Sequence, residues 1–167
     1  QPGFLFRLSA VSDDGQWLVV VFWRSAADAT ASMEKFMTDP SVANYASAID
    51  ADSMKMNRYQ SRGRFAALPS GAQIVELTTF SLGEKQNPAV FARRDGAVEA
   101  AYTSKQPGFG WRESGKSGDG QWLVLVGWAG SEEADKSMAR FMADSSVADY
   151  ATMIDGASMK MARYALR

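Results

Sequence analysis

Seven polar or aromatic residues recur in this chain at a fixed spacing of 105: Arg7 with Arg112, Trp17 with Trp122, Trp23 with Trp128, Tyr45 with Tyr150, Lys55 with Lys160, Arg58 with Arg163 and Tyr59 with Tyr164. An arginine can stabilise an anion on a bound molecule, and a tyrosine can donate a hydrogen bond to its oxygen. Each of these residues also has a plainer reading. Trp17 and Trp23 suit core or inter-sheet packing. Tyr45 falls on the apolar stripe of a short helix, and Arg7 suits a surface ion pair. Lys55 and Tyr59 share one strand face and could simply line its edge. Met33, Met37, Met54 and Met56 read as adaptable core filler.

Composition narrows the chemistry further. The chain has no histidine and no cysteine. It therefore lacks the usual general base at neutral pH, the commonest metal ligand and the standard proximal haem ligand. Disulfides and thiolate nucleophiles are excluded. No acidic spacing resembles an EF-hand. The expectation is no cofactor, no haem and no metal. Net charge is −1 with basic residues scattered, so neither nucleic acid nor an anionic membrane is an expected partner. No apolar run reaches the roughly 18 residues of a membrane span, and no signal peptide is visible, so a cytoplasmic location is expected.

The spacing of 105 reflects a duplication. Residues 1–59 and 106–164 align without a gap, and 34 of the 59 aligned positions are identical. QPGF, DGQWLV, SVAxYA and SMKMxRY all recur. Three domain segments follow: a first unit over 1–59, a linker over 60–71 rich in Gly, Pro and Ser, and a complete second unit over 72–167. The first unit has no counterpart of the strand and helix that open the second. About 40 further residues ahead of Gln1 are therefore expected.

Within the second unit, residues 72–82 are rich in β-branched types and predict a strand. Asn87-Pro88 starts a helix that runs to about Ser104, with Asp95-Gly96 weakening its middle. Residues 109–116 and 121–128 predict two strands joined at Asp119-Gly120, a dipeptide suited to a tight turn. Ser131 is expected to cap the next helix. Asp144 starts a short one, and residues 158–166 form the last strand. In the first unit Ser25 and Asp28 resemble a capping box, Asp39-Pro40 starts the short helix, and residues 53–59 form the last strand. The order is β-α-β-β-α-(α)-β, an α+β, ferredoxin-like arrangement. Along one strand Trp17, Val19, Val21 and Trp23 face one side while Leu18, Val20 and Phe22 face the other. One side can meet helices, and the second copy is the expected cover for the other.

The aromatic that ends the third strand before a capped helix, the segments FMTDPSVANY and FMADSSVADY, and the strand and helix leading into QPGF together resemble the dimeric α+β barrel superfamily. Within it the likeness is to the antibiotic biosynthesis monooxygenase-like proteins. The resemblance implies two tandem ferredoxin-like βαββαβ units forming an intramolecular barrel, with self-association of the two repeats and a homodimer as further assembly. It implies a small apolar or aromatic ligand, and cofactor-independent monooxygenation of a phenolic or polyketide-type substrate. A non-catalytic binding or stress-associated barrel is the alternative. Family members often carry a histidine four residues before the turn proline. Here that place holds Phe36 and Phe141, a departure that argues against haem degradation and histidine-based acid–base chemistry. The candidate ligand-binding residues are Arg7, Arg112, Tyr45, Tyr150, Trp23, Trp128 and Glu113. The replacements Leu5 to Gly110, Leu8 to Glu113 and Phe22 to Gly127 mark where the second unit has room for a ligand or for a neighbour's side chain.

Overall fold

A computed structural model describes residues 1–62 and 71–167. Residues 63–70 of the expected linker lie outside the described part.

Alternating apolar residues and Gly-containing turns build the first strands. β1 (Phe4–Val11) and β2 (Trp17–Trp23) pair antiparallel. Between them Gly15 takes a positive φ of 84°, and Gln16 returns to Ser12 through the 2.9 Å Ser12 N–H bond to its carbonyl. The same turn recurs at Gly120, φ 93°, between β5 (Phe109–Ser117) and β6 (Trp122–Trp128). Both hairpins shift register at the matching place, Phe4/Phe6 in one and Phe109/Trp111 in the other.

Helix α1 (Ala26–Thr38) begins as the capping box requires: Ser25 Oγ accepts from the Asp28 N–H at 3.1 Å. Asp39 caps a 3-10 turn at Pro40–Val42 that leads into α2 (Ala43–Ser47). Asn87 caps α3 (Pro88–Ala101), with Pro88 in its first turn, and a 3-10 turn at Thr103–Lys105 follows. Helices α4 (Ser131–Phe141) and α5 (Ala148–Ala151) complete the set. The cap of α4 is Gly130, in extended conformation, rather than the expected Ser131, which enters the helix as its first residue.

Strands β3 (Tyr59–Ser61), β4 (Ile74–Leu82) and β7 (Ile154–Leu166) join the others in one seven-stranded sheet. Its order is β2-β1-β7-β4-β6-β5-β3, and every neighbouring pair is antiparallel. The strands of residues 72–167 thus lie in the order fourth, first, third, second. β7 begins earlier than expected because β4 offers partners as far as Leu82↔Ile154. The corresponding segment of the first copy is a strand only over Tyr59–Ser61, where β5 supplies a partner. The expected strand over 53–59 lacks a neighbour along most of its length.

Two cores result. Under the helices, Phe80, Phe91, Val98, Tyr102, Trp122, Val126, Trp128, Val147 and Tyr150 pack together. Phe91 is central, with its ring 4.6 Å from Trp122 and 4.9 Å from Tyr150. On the opposite face, Leu8, Ala10, Val75, Trp111 and Leu125 form a second cluster, with Leu18, Val20 and Phe22 packed against it. For β1 and β2 to meet β6 in one cluster across the intervening strands, the sheet must curl into a barrel-like shape. Among the described residues no helix is long and apolar enough to cross a membrane.

Candidate functional site

Alternation along β5 decides where the polar residues go. Arg112 and Ser114 point to α3; Trp111 and Glu113 point to the inside of the curled sheet. The candidate set of the second copy is therefore split between two environments.

On the helix side, Asp95 is fully buried and is the hub. It makes a very short ion pair with Arg112, accepts from the Ser114 hydroxyl at 2.6 Å, and pairs with Arg62 at 2.8 Å. Glu99 stands 3.7 Å from Arg112 and 4.0 Å from Arg62. Two guanidinium groups thus face two carboxylates. Burial alone would raise the pKa of Asp95, but the Arg112 charge and hydrogen bond, the Ser114 hydroxyl and Arg62 outweigh it and hold the carboxyl below its ordinary value. Gly96 makes room for this network: a Cβ there would stand 2.5 Å from Arg62 Nη2. Asp95-Gly96, which weakens an isolated helix, is here the seat of the second copy's most buried ion pair. Tyr150 stacks on Phe91 nearby, and burial pushes its phenol well above the usual range, so it stays neutral. Trp128 packs edge-on to Phe109 in the same layer.

Inside the barrel, Glu113 replaces a leucine of the first copy. Its Oε1 accepts from the Ser114 N–H at 3.0 Å and the Arg62 N–H at 3.2 Å. Its Oε2 is buried and has no hydrogen-bond partner among the described residues. The space left at Gly127 is not open: a Cβ there would stand 2.2 Å from Trp111 Nε1. At the matching place of the first copy, Phe6 stacks on Phe22 with centroids 4.2 Å apart. One large ring has replaced two smaller ones. Gly110 is similarly close to the Gly127 carbonyl, 3.2 Å from its would-be Cβ. Of the two uses expected for these small residues, the neighbour's side chain is the one observed at Gly127.

The first copy brings Arg7 and Tyr45 together without burying them. Arg7 Nη2 donates to the Tyr45 hydroxyl at 3.2 Å, and its guanidinium lies 5.7 Å from the ring centroid. Trp23 packs edge-on to Phe4. Two shallow cavities of about 260 and 280 Å³ lie in this half, one between α1 and the Pro40 turn and one between the N-terminal Gln1-Pro2 and α1. Neither is lined by any of the candidate residues. Elsewhere Arg163 bridges Glu76 at 2.8 Å and Asp135 at 2.5 Å, which ties β4 and α4 to β7.

Sequence reasoning missed Asp95, Ser114, Arg62 and Glu99. A signal for Asp95 was present. It follows Phe91 by four residues and precedes Val98 by three, so it sits on the apolar stripe of α3, where a charge requires a buried partner.

No family model matches this chain, and no curated protein is significantly similar to it. Solved structures do share its fold. A "putative monooxygenase" from Lactobacillus acidophilus NCFM has 11% sequence identity and a TM-score of 0.64, over 98% of this chain and 77% of that one. An anthrone oxidase-like protein has 14% identity and a TM-score of 0.66, over 99% of this chain and 77% of that one. A second "putative monooxygenase", from Fusobacterium nucleatum subsp. nucleatum, has 15% identity and a TM-score of 0.62, with coverages of 99% and 77%.

Proposed function

We propose that this chain is a monooxygenase-like barrel of the antibiotic biosynthesis monooxygenase kind, built from two tandem ferredoxin-like units, that binds a phenolic or polyketide-type aromatic and oxidises it with O2 without a cofactor. The tandem reading is supported by the fourth-first-third-second strand order of residues 72–167 and by the matching register shifts of the two hairpins. The functional reading draws on the shared fold with monooxygenase-type and anthrone oxidase-like proteins. It rests on one observation: Glu113, a carboxylate with a buried oxygen that has no hydrogen-bond partner among the described residues, on the face of an otherwise apolar interior.

In this reading Glu113 accepts a proton from an acidic O–H or C–H of the substrate. The two N–H groups on Oε1 orient the carboxylate so that Oε2 is the basic atom. The electron-rich anion passes an electron to O2, the radical pair combines through a new C–O bond, and Glu113 gives its proton to the resulting peroxide to make the hydroperoxide. Glu113 then removes the remaining C–H proton of the oxygenated carbon, the O–O bond breaks as the carbonyl forms, and the departing hydroxide takes that proton and leaves as water, so O2 supplies both the carbonyl oxygen and the oxygen of the water. The apolar walls exclude bulk water from the anion.

The test follows O2 uptake and quinone formation with anthrone and hydroxynaphthalene substrates. Glu113→Leu installs the residue the first copy carries and should leave the fold intact while lowering turnover at least about a hundredfold. Unchanged turnover in that variant refutes the role of Glu113. A binding barrel without catalysis is the second reading, favoured by the Trp111 indole occupying the room at Gly127. Saturable binding of these aromatics with no O2 consumption would select it.

A further inference from the structure

The two copies bury the same residues to opposite degrees. Trp122 is 5% exposed and its counterpart Trp17 is 66% exposed. Val124 and Val126 are each 6% exposed, against 40% for Val19 and 36% for Val21. Tyr150 is 5% exposed and Tyr45 is 46%. Identical side chains on equivalent strands and helices differ this way because of what lies on them. In the second copy β4 pairs with the edge of β6 and α3 lies across the sheet, inserting Phe91 between Trp122 and Tyr150 and Asp95 against Arg112. Among the described residues of the first copy β2 pairs only with β1 and β3 only with β5, and although α1 lies against β2 and Tyr45 of α2 reaches Arg7, no helix takes the place that α3 holds in the second copy. Arg7, the counterpart of Arg112, has no ion pair among the described residues and leans on the Tyr45 ring instead.

We propose that the face formed by Trp17, Val19, Val21 and Tyr45, with Arg7 and the free edge of β2, is a docking surface for a strand–helix polypeptide segment of the chemistry of Ile74–Ala101. The occupant pairs its strand with β2, as β4 does with β6. Its helix presents an aromatic side chain that enters between Trp17 and Tyr45. One turn later it presents an aspartate that pairs with Arg7, repeating the Phe91 and Asp95 spacing of α3. Charge complementarity and shape both come from the occupied copy, where the same receiving residues are buried by that combination. A second copy of this chain fits less well, because its own Phe91 and Asp95 are fully buried in its own core. The edge between β2 and β3 is the place where the curled sheet is unpaired among the described residues, so the docked strand would also continue the sheet there.

The experiment titrates the 167-residue protein with a synthetic peptide of the sequence of residues 72–105 and reads tryptophan emission and acrylamide quenching. Trp17 is the most exposed of the five tryptophans and dominates the quenchable signal. Saturable one-to-one binding with a blue shift and loss of quenching is expected. Peptide carrying Asp95→Asn should bind about tenfold more weakly or worse, and that penalty should vanish against Arg7→Met protein. Because a free peptide can aggregate, a chain with the sequence of residues 72–105 fused directly ahead of Gln1 provides a second measurement, and it should protect Trp17 from acrylamide. A folded fusion in which Trp17 is as quenchable as before overturns the proposal. So does a free protein that is already a dimer with Trp17 shielded, since the occupant would then be a second copy.

Discussion

The Arg112–Asp95 pair offers a test in which the protein carries its own control. Asp95 is fully buried and Arg112 nearly so, whereas Arg7, the same residue of the first copy, is exposed. Replacing Arg112 by methionine keeps much of the volume and leaves Asp95 charged in the interior with only Arg62 and Ser114 beside it. Breaking a buried pair from one side typically costs about 3–5 kcal/mol. The retained Arg62 contact places this variant near the low end, about 3 kcal/mol, or roughly 6–12 °C in Tm for a chain of this size. Removing both charges, as Arg112→Met with Asp95→Leu, should recover most of the loss, because no charge is then buried alone. Arg7→Met should cost under about 1 kcal/mol, the scale of an exposed cation–π contact. The assay is urea unfolding followed by far-UV circular dichroism, with calorimetry as the second probe. Equal costs for Arg112→Met and Arg7→Met would refute the reasoning, as would a double variant no more stable than the single.

Further predictions follow from the same geometry. The carboxyl of Asp95 is held below its ordinary value, so its stabilisation is fully present above that value of 3.8 and fades as pH falls through the lower folded one; the stability gap between the native chain and Asp95→Asn should therefore be constant near neutrality and narrow below about pH 4 in urea titrations. Gly127→Phe should be destabilising by about 1–3 kcal/mol or more because it collides with the Trp111 indole, and adding Trp111→Phe should rescue it by recreating the Phe6–Phe22 stack of the first copy; failure of the rescue in chemical denaturation would reject the exchange of one ring for two. Phe91→Ala should cost about 3–5 kcal/mol, since its ring contacts Phe80, Trp122 and Tyr150 at once. Ser25→Ala should cost about 1 kcal/mol and speed amide hydrogen exchange at the start of α1, a helix with no buried residue to hold it otherwise.

What could be read from the chain and what could not divides along physical lines. Local chemistry was legible: the positive-φ glycines of Asp-Gly turns, the Ser25 cap, the Asn87-Pro88 start of α3 and the alternation that sends Leu18, Val20 and Phe22 to one core. Features needing a partner far away in sequence were not. The length of β7 depends on β4, some 80 positions earlier in the chain, and the stretch before Tyr59 stays out of the sheet for want of such a partner. The Arg112–Asp95 hub joins a strand to a helix across a packed layer, and only the misfit of a charge on an apolar stripe hints at it. Of the candidate site, the pairing of Arg7 with Tyr45 was foreseeable as a set of residues. That Glu113 and Arg112 part to opposite faces follows from β5 alternation, once that strand is placed between the helices and the curled interior.

The pairing of β1 with β7 has a consequence for how the protein is made. Ala10 lies opposite Leu166, and Arg167 donates its N–H to the Ser9 carbonyl at 2.9 Å. A ribosome must therefore add more than 150 residues after Ala10 before that strand meets its partner. In the interval the edge of β1 that receives β7 stays open, and such an edge can pair with its own neighbours on a polysome. The second copy, whose strands lie close together in sequence, can assemble first and offer β7 as the template. Truncation within β7 should then leave the edge of β1 unpaired and send the protein to aggregates.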